Sequence, residues 1–317
     1  MTFRPRAALP VAAFAGAVAA ALALAGCGQG GGPAPAPASA APSQVAGTVG
    51  VVASTDVYGS IAGAVGGTHV HVTSIIHSPD ADPHEYEATP ADATAVSEAK
   101  VLIQNGGGYD DFAGKLVSAA GAKPTVIDVS QLSGLDTGAD FNEHVFYSLP
   151  TVAKLADTLS ADLGRADPAN AGDYQAGATA FKAKLAGLTG KLAAIRAAHP
   201  GARIAVTEPV PLYLTEQAGL TNATPEAFSH AIEEGNDPPA TVLQQTVALF
   251  SGPTKVSALL LNAQTESAST SQVEQAATSG GVPVVKVTET LPAGTMDYVT
   301  WIGGEIDQLS TALGDHR

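Results

Sequence analysis

The chain has 317 residues but a single cysteine, Cys27. One cysteine excludes an internal disulfide framework and any metal site built from several thiolates. Basic residues are also few, since 15 Lys and Arg stand against 30 Asp and Glu and give a formal net charge of −15. Nucleic acids and anionic membrane surfaces both attract basic patches, so the composition argues against these partners. The acidity itself suits either cation binding or plain solubility.

Aromatic side chains and catalytic motifs are scarce as well. Only 5% of the residues are Phe, Trp or Tyr, whereas pockets for organic solutes are commonly lined by aromatic groups. The chain has neither a Gly-x-Ser-x-Gly nucleophile elbow nor a His-Glu-x-x-His zinc motif. A metal-dependent hydrolase would also need an open coordination position and a general base, such as Glu85 or Glu216. A hydrolase and a binding protein for an organic or chelated solute remain alternatives.

The first 45 residues have the composition of a targeting segment. Arg4 and Arg6 precede an apolar run that ends in Leu-Ala-Gly-Cys, which indicates a signal peptide over residues 1–26 rather than a spanning helix. The Leu-Ala-Gly-Cys sequence resembles a bacterial lipobox, which implies cleavage before Cys27 and lipidation of its thiol. Residues 27–45 are rich in Gly, Pro and Ala and predict a flexible tether. We expect an exported protein, lipid-anchored on the outer face of the cytoplasmic membrane.

Beyond the tether, short runs rich in β-branched residues alternate with helical stretches, which is typical of a parallel sheet covered on both faces. The predicted strands are 48–54, 69–76, 100–105, 124–130, 203–207, 256–262 and 282–288.

The alternation stops between about 150 and 198, where only helix is predicted. In its second part, apolar residues recur at alternating spacings of four and three and form one helical stripe: Tyr174, Ala178, Phe181, Leu185, Leu188, Leu192 and Ile195. We therefore predict an α/β protein of two lobes, each a mostly parallel sheet flanked by helices, joined by one long rigid helix. The expected division is an N-terminal lobe over 46–149, a helical connector over 150–200 and a C-terminal lobe over 201–317.

Side chains that could bind a metal are predicted at the part of the fold where α/β proteins usually bind their ligands. In open α/β sheets, ligands bind outside the carboxyl ends of the strands. Four side chains able to bind a metal are predicted at these ends, two from each half of the chain: His84, His144, Glu208 and Glu289. Each residue alone is weak evidence, and their joint placement is what indicates a metal site.

Several segments together resemble the metal-type solute-binding proteins of bacterial ABC transporters. Asp-Pro-His-Glu-Tyr-Glu-Ala-Thr-Pro-Ala-Asp, residues 82–92, looks like the first ligand motif of that family. The later motifs follow in the family's order, as Asn-Gly-Gly-Gly-Tyr-Asp (105–110), Asn-Glu-His-Val-Phe-Tyr (142–147), Asp-Pro-Ala-Asn-Ala-Gly-Asp-Tyr (167–174), Thr-Glu-Pro-Val-Pro-Leu-Tyr (207–213) and Val-Thr-Glu-Thr-Leu-Pro (287–292). The resemblance covers 46–313, with Glu143 in place of the usual Pro, Phe146 in place of the usual Trp and Glu289 in place of the usual Asp.

The resemblance implies a site and a role. His84, His144, Glu208 and Glu289 would be the ligands, with Asp297 as an alternative fourth. The ion would be Zn²⁺ or Mn²⁺, because imidazole suits zinc and carboxylates shift preference toward manganese, and it would be cargo for an ABC permease with its ATPase. No catalysis, organic cofactor or nucleic acid is implied, and a monomer is the simplest state. A surface adhesin, a role sometimes proposed for relatives, stays open.

Overall fold

A computed structural model describes residues 47–79, 81–121, 123–136, 138 and 141–314. The predicted signal peptide, the predicted lipidation site Cys27 and the predicted tether lie outside these residues. Every helix in the described part is too short or too polar to cross a membrane.

The N-terminal lobe contains a four-stranded, all-parallel sheet with the order β2–β1–β3–β4. Its strands are β1 (Val49–Thr55), β2 (Val70–Ile76), β3 (Val101–Gln104) and β4 (Thr125–Asp128). The accompanying helices are α1 (Asp56–Gly66), α2 (Pro90–Glu98), α3 (Asp111–Ala119) and α4 (Val129–Ser133). All seven residues of β1 are buried, as expected for the central strand of a parallel sheet covered on both faces.

Two long helices follow, α5 (Leu149–Ala166) and α6 (Ala171–Ala198). The buried residues of α6 are the seven members of the predicted apolar stripe, from Tyr174 to Ile195. With 28 residues, α6 is about 42 Å long at 1.5 Å per residue. It packs against α1 of the first lobe and α11 (Tyr298–Gly314) of the second, so this helix joins the lobes as predicted.

The C-terminal lobe repeats the architecture, with a parallel sheet in the order β6–β5–β7–β8. Its strands are β5 (Arg203–Val206), β6 (Thr221–Asn222), β7 (Leu259–Asn262) and β8 (Val284–Val287). The remaining helices are α7 (Leu212–Gln217), α8 (Glu226–Glu233), α9 (Ala240–Ala248) and α10 (Ala268–Ser279). In both sheets the strand order reverses beside the central strand, which is where open α/β sheets form their ligand crevice.

Candidate metal centre

Three of the predicted ligands converge from the two lobes. His84 lies in the loop after β2, His144 lies just before the turn that leads into α5, and Glu289 lies two residues beyond β8. The Nε2 atom of His144 is 3.4 Å from Oε2 of Glu289, and the Nε2 atom of His84 is 3.9 Å from the same oxygen. Segments at the carboxyl ends of both sheets therefore bring atoms that can bind a metal close together.

Glu208, two residues beyond β5, lies beside this group. The Asn262 side chain joins it to Glu289, because Nδ2 donates to Oε2 of Glu208 at 2.6 Å and to Oε1 of Glu289 at 2.8 Å. The hydroxyl of Thr265 donates to the other oxygen of Glu208. Within the described residues, Glu208 forms no ion pair with His84 or His144. Its carboxylate is thus adjacent to the three converging donors and already hydrogen-bonded.

Asp297, the alternative fourth ligand, is placed elsewhere. It is exposed, directly before α11. Its carboxylate oxygens accept from the backbone N of Thr300 at 2.9 Å and from Thr300 Oγ1 at 2.7 Å. This is the hydrogen-bond pattern of a residue that caps a helix N-terminus. Asp297 therefore has a local structural explanation and lies outside the group formed by the histidines and Glu289.

Glu233, which the sequence analysis did not select, lies between the two histidines. Its Oε1 atom is 3.5 Å from Nε2 of His84 and 3.4 Å from Nε2 of His144. One donor atom from each of these three residues lies within 4.8 Å of the others. Searching the ends of strands could not find Glu233, because it is the last residue of α8.

Asn142 holds His144 in the form that a metal requires. The Oδ1 atom of Asn142 accepts from the backbone N of His144 at 3.1 Å and lies 2.8 Å from its Nδ1. Since a side-chain amide oxygen only accepts, the proton of a neutral imidazole is assigned to Nδ1, and the lone pair of Nε2 faces the site. Asn142 is itself anchored to the C-terminal lobe, donating to the carbonyl of Pro209 at 2.9 Å and accepting at its own carbonyl from Tyr213 at 2.7 Å.

His84 is positioned by its own loop and by an aromatic wall. Its backbone N donates to Oδ1 of Asp82 at 2.9 Å. Its ring meets Tyr109 edge to face, with centroids 5.0 Å apart, and Tyr109 packs in turn on Phe146 at 5.5 Å. Phe146, at the position where the family usually has Trp, is buried and also contacts the ring of His144. These rings form an apolar wall, and the low polarity strengthens electrostatic interactions in the site.

The charges at this point are strongly coupled. Burial of the His144 ring acts to lower its pKa, but the carboxylates of Glu233 and Glu289 outweigh burial and raise the pKa to about 9. The pKa of His84 is also raised, because the same two glutamates prevail over desolvation. The pKa of Glu289 is lowered, since the histidines overcome its burial. Burial chiefly raises the pKa of Glu208 to about 7, and repulsion from Glu233 and Glu289 adds to it.

Several donor atoms at this point have no conventional partner. Nε2 of His144, Oε2 of Glu289 and both carboxylate oxygens of Glu233 are buried, and none forms a hydrogen bond within the described part of the chain. Buried polar atoms in folded proteins are nearly always hydrogen-bonded, so each exception needs an explanation. Imidazole nitrogens and carboxylate oxygens are ligands for divalent transition metals, and a cation among these atoms would satisfy all of them.

Comparison with known proteins agrees with this chemistry. The sequence profile of the family described as zinc-uptake complex component A, periplasmic, matches residues 51–312. Among curated proteins, the manganese-binding lipoprotein MntA of Bacillus subtilis is 29% identical over 141 residues, 43% of this chain and 46% of that protein. MntA of Halalkalibacterium halodurans is 30% identical over 134 residues, 41% and 44% of the two chains. The chain thus spans about half the length of the curated relatives it matches.

Solved structures share the fold over most of the chain. The binding protein FpvC of Pseudomonas aeruginosa, solved with Mn²⁺, superposes with a TM-score of 0.70 at 21% identity, covering 85% of this chain and all of that one. The zinc-binding protein TroA of Treponema pallidum gives 0.67 at 19% identity, covering 84% and 99%. At these identities the likeness establishes the two-lobed fold.

Proposed function

The chain belongs to the family of zinc-uptake complex component A, and we propose that it captures a divalent transition metal ion outside the cytoplasm and delivers it to an ABC-type permease for import. One observation carries this proposal. Nε2 of His144 and Oε2 of Glu289 are buried without hydrogen bonds and point at each other across 3.4 Å, from segments at the carboxyl ends of two different sheets. A divalent cation that displaces the imidazole proton would bind both atoms at once.

We assign His84, His144 and Glu289 as ligands, with Glu208 as the fourth. Two imidazoles and two carboxylates suit zinc in a tetrahedral arrangement. Bidentate carboxylates would instead raise the coordination number, which suits manganese. Both ions are therefore candidate cargoes, and the relatives named for manganese and zinc support this pair.

The proposed mechanism is capture and handover. Each lobe contributes ligands, so the bound ion joins the lobes, while α6 limits how far they separate. A permease with its ATPase would dock across both lobes, and movement of one ligand-bearing segment would release the ion. The ion is cargo, and no catalysis is assigned. Export, a lipid anchor at Cys27 and a monomeric state complete the proposal, supported by the Leu-Ala-Gly-Cys sequence and by the lipoprotein relatives.

Calorimetric titration of the chelator-stripped protein with Zn²⁺ and with Mn²⁺ tests the proposal. We expect one tightly bound ion per chain, lost in His84→Ala and Glu289→Ala and retained in Asp297→Ala, which removes an exposed carboxylate close in sequence. The ratio of the two affinities indicates the cargo. If neither ion binds, the function is wrong. If Asp297→Ala abolishes binding and Glu289→Ala does not, Asp297 is the ligand and the assignment of Glu289 is wrong.

A further inference from the structure

Among the carboxylates of the site, Glu233 differs from Glu208 and Glu289 in forming no hydrogen bond with the described residues. Its side chain is only 12% exposed, and neither oxygen forms a hydrogen bond with the described residues. Burying an ionised carboxylate without hydrogen bonds is strongly unfavourable. The two imidazoles, at 3.4 and 3.5 Å, are its nearest oppositely charged groups, and both are proposed metal ligands.

The helix that carries Glu233 adds a second unfavourable contribution. Glu233 is in the last turn of α8, where the exposed carbonyl groups give the helix end a partial negative charge. A carboxylate there is repelled by its own helix, whereas a cation is attracted. Both the helix end and the buried oxygens therefore favour a positive ion between Glu233 and the histidines.

The position of Glu233 is fixed by the backbone. The N–H of Gly235 donates to Ile232 O at 2.9 Å, and the N–H of Asn236 donates to Ala231 O at 2.7 Å. With Gly235 at φ 67°, this is a Schellman cap, which stops the helix at a defined residue. Phe228 and Ile232 hold the opposite face of α8 in the core of the C-terminal lobe. The cap and this packing set the direction of the Glu233 side chain.

Glu233 also lies between the site and solvent. Two open cavities of about 750 Å³ each flank the lobe boundary, and Glu233 lines both of them. His84 lines the second cavity, while His144 and Glu289 lie deeper, with side chains 0% and 3% exposed. Glu233 therefore lies beside the histidines on the side of the site that faces both cavities.

We infer that Glu233 is a further ligand, which coordinates the captured ion from its solvent side and retains it until the end of α8 moves away. The inference rests on the proposed function and deepens it. The captured ion would then be held by the four ligands already assigned and, in addition, by the carboxylate of Glu233, which is more exposed than those of Glu289 and Glu208. Removing Glu233 should chiefly accelerate release, because the deeper ligands remain.

The test compares Glu233→Gln with Glu234→Gln, an exposed neighbour that lines the same cavities. Zn²⁺ and Mn²⁺ dissociation is measured by rapid mixing of the loaded protein with excess chelator, and affinity by competition. We expect Glu233→Gln to release the ion at least about tenfold faster and Glu234→Gln to match the wild type. The absorption spectrum of bound Co²⁺ should change only in Glu233→Gln, since it reports the ligand set.

Melting temperatures separate a ligand from a structural residue. Glu233→Gln keeps the size of the side chain, so the metal-free variant should fold, and the increase in melting temperature that Zn²⁺ produces should be smaller than in the wild type. Equal release rates and Co²⁺ spectra in the two variants would overturn the inference, as would tighter binding in Glu233→Gln, which would identify Glu233 as a competitor of the metal. If the wild type binds no ion, the proposed function fails instead.

Discussion

Glu305 should make the folding stability of this protein fall as the pH rises. Its carboxyl group is buried in α11, where Oε1 accepts from Trp301 Nε1 at 2.8 Å and from the backbone N of Thr288 at 3.3 Å. The Tyr147 hydroxyl oxygen lies 2.8 Å from both Oε2 of Glu305 and the carbonyl of Thr288. A hydroxyl has one hydrogen and a carbonyl only accepts, so Glu305 supplies the second hydrogen and is protonated.

The pKa of Glu305 also favours the protonated form. Burial raises the pKa of Glu305 to about 8, although the hydrogen bonds that Trp301 and Thr288 donate to its carboxyl group act to lower the pKa. A glutamate whose pKa is higher in the folded state than its ordinary 4.5 contributes stability that is fully present below pH 4.5 and is lost as the pH rises toward 8. At about 1.4 kcal/mol per pH unit between the two pKa values, the loss is about 1 kcal/mol at pH 5 and reaches about 4 kcal/mol at pH 8.

Glu305→Gln isolates this contribution, because the amide reproduces a neutral carboxylic acid with one acceptor and one donor end. We expect the metal-free variant to match the wild type within about 1 kcal/mol at pH 5 and to exceed it by about 4 kcal/mol at pH 8. Guanidinium unfolding in excess chelator measures both, followed by circular dichroism and by fluorescence of Trp301, the single tryptophan. Glu216→Gln, which removes an exposed carboxylate, is the control. A difference that stays constant from pH 5 to pH 8 would refute a protonated Glu305.

Three further results are expected. Asn142→Ala should weaken metal binding about 10- to 100-fold by releasing the His144 ring, and Asn142→Asp, which keeps the acceptor, should lose less; competition titrations compare them. Metal affinity should fall as the pH drops from 7 to 5, because both histidine pKa values are raised and the metal must displace the histidine protons. The expected decrease is about tenfold per pH unit for each proton displaced. Equal affinities at the two pH values would exclude the histidines as ligands. Gly177→Ala should destabilise the fold by about 1–3 kcal/mol, since the added Cβ would overlap a carbonyl of α1. Gly187 is exposed and has open space around it, so Gly187→Ala should stabilise the fold by about 0.5–1 kcal/mol. Unfolding curves with the opposite order of stability would contradict this.

The elements that could be predicted from the sequence are those with a strong hydrophobic pattern. The stripe on α6 identified every buried residue of that helix. The predicted strand 256–262 was longer than β7, because only Leu259–Asn262 pair with neighbouring strands. The strand β6 was missed, since it consists of Thr221 and Asn222, two exposed polar residues without any apolar signal.

The candidate site could be predicted in part for a related reason. His84 and Glu289 lie in loops at the ends of strands, where the topology itself places ligands. Glu233 is identified only by its tertiary contacts with the two histidines, which no local sequence pattern encodes. The separate position of Asp297 depends on its hydrogen bonds to Thr300; a sequence search for acidic side chains cannot distinguish a helix cap from a ligand.

The hydrogen bonds between the lobes suggest which ligands move when the ion is released. The segment that carries His144 is held by buried bonds, because Tyr147 donates to Thr288 O and Tyr298 donates to Phe146 O at 2.7 Å. The loop that leads to His84 contacts the other lobe through bonds to its backbone: Gln264 Nε2 donates to Pro79 O at 2.9 Å and to Ala81 O at 3.4 Å, and Thr290 Oγ1 donates to Ser78 O at 3.4 Å. Breaking these partly buried contacts frees the His84 loop, whereas moving His144 would disrupt a packed core. We therefore expect release to begin at His84 and Glu233, with His144 and Glu289 keeping their positions.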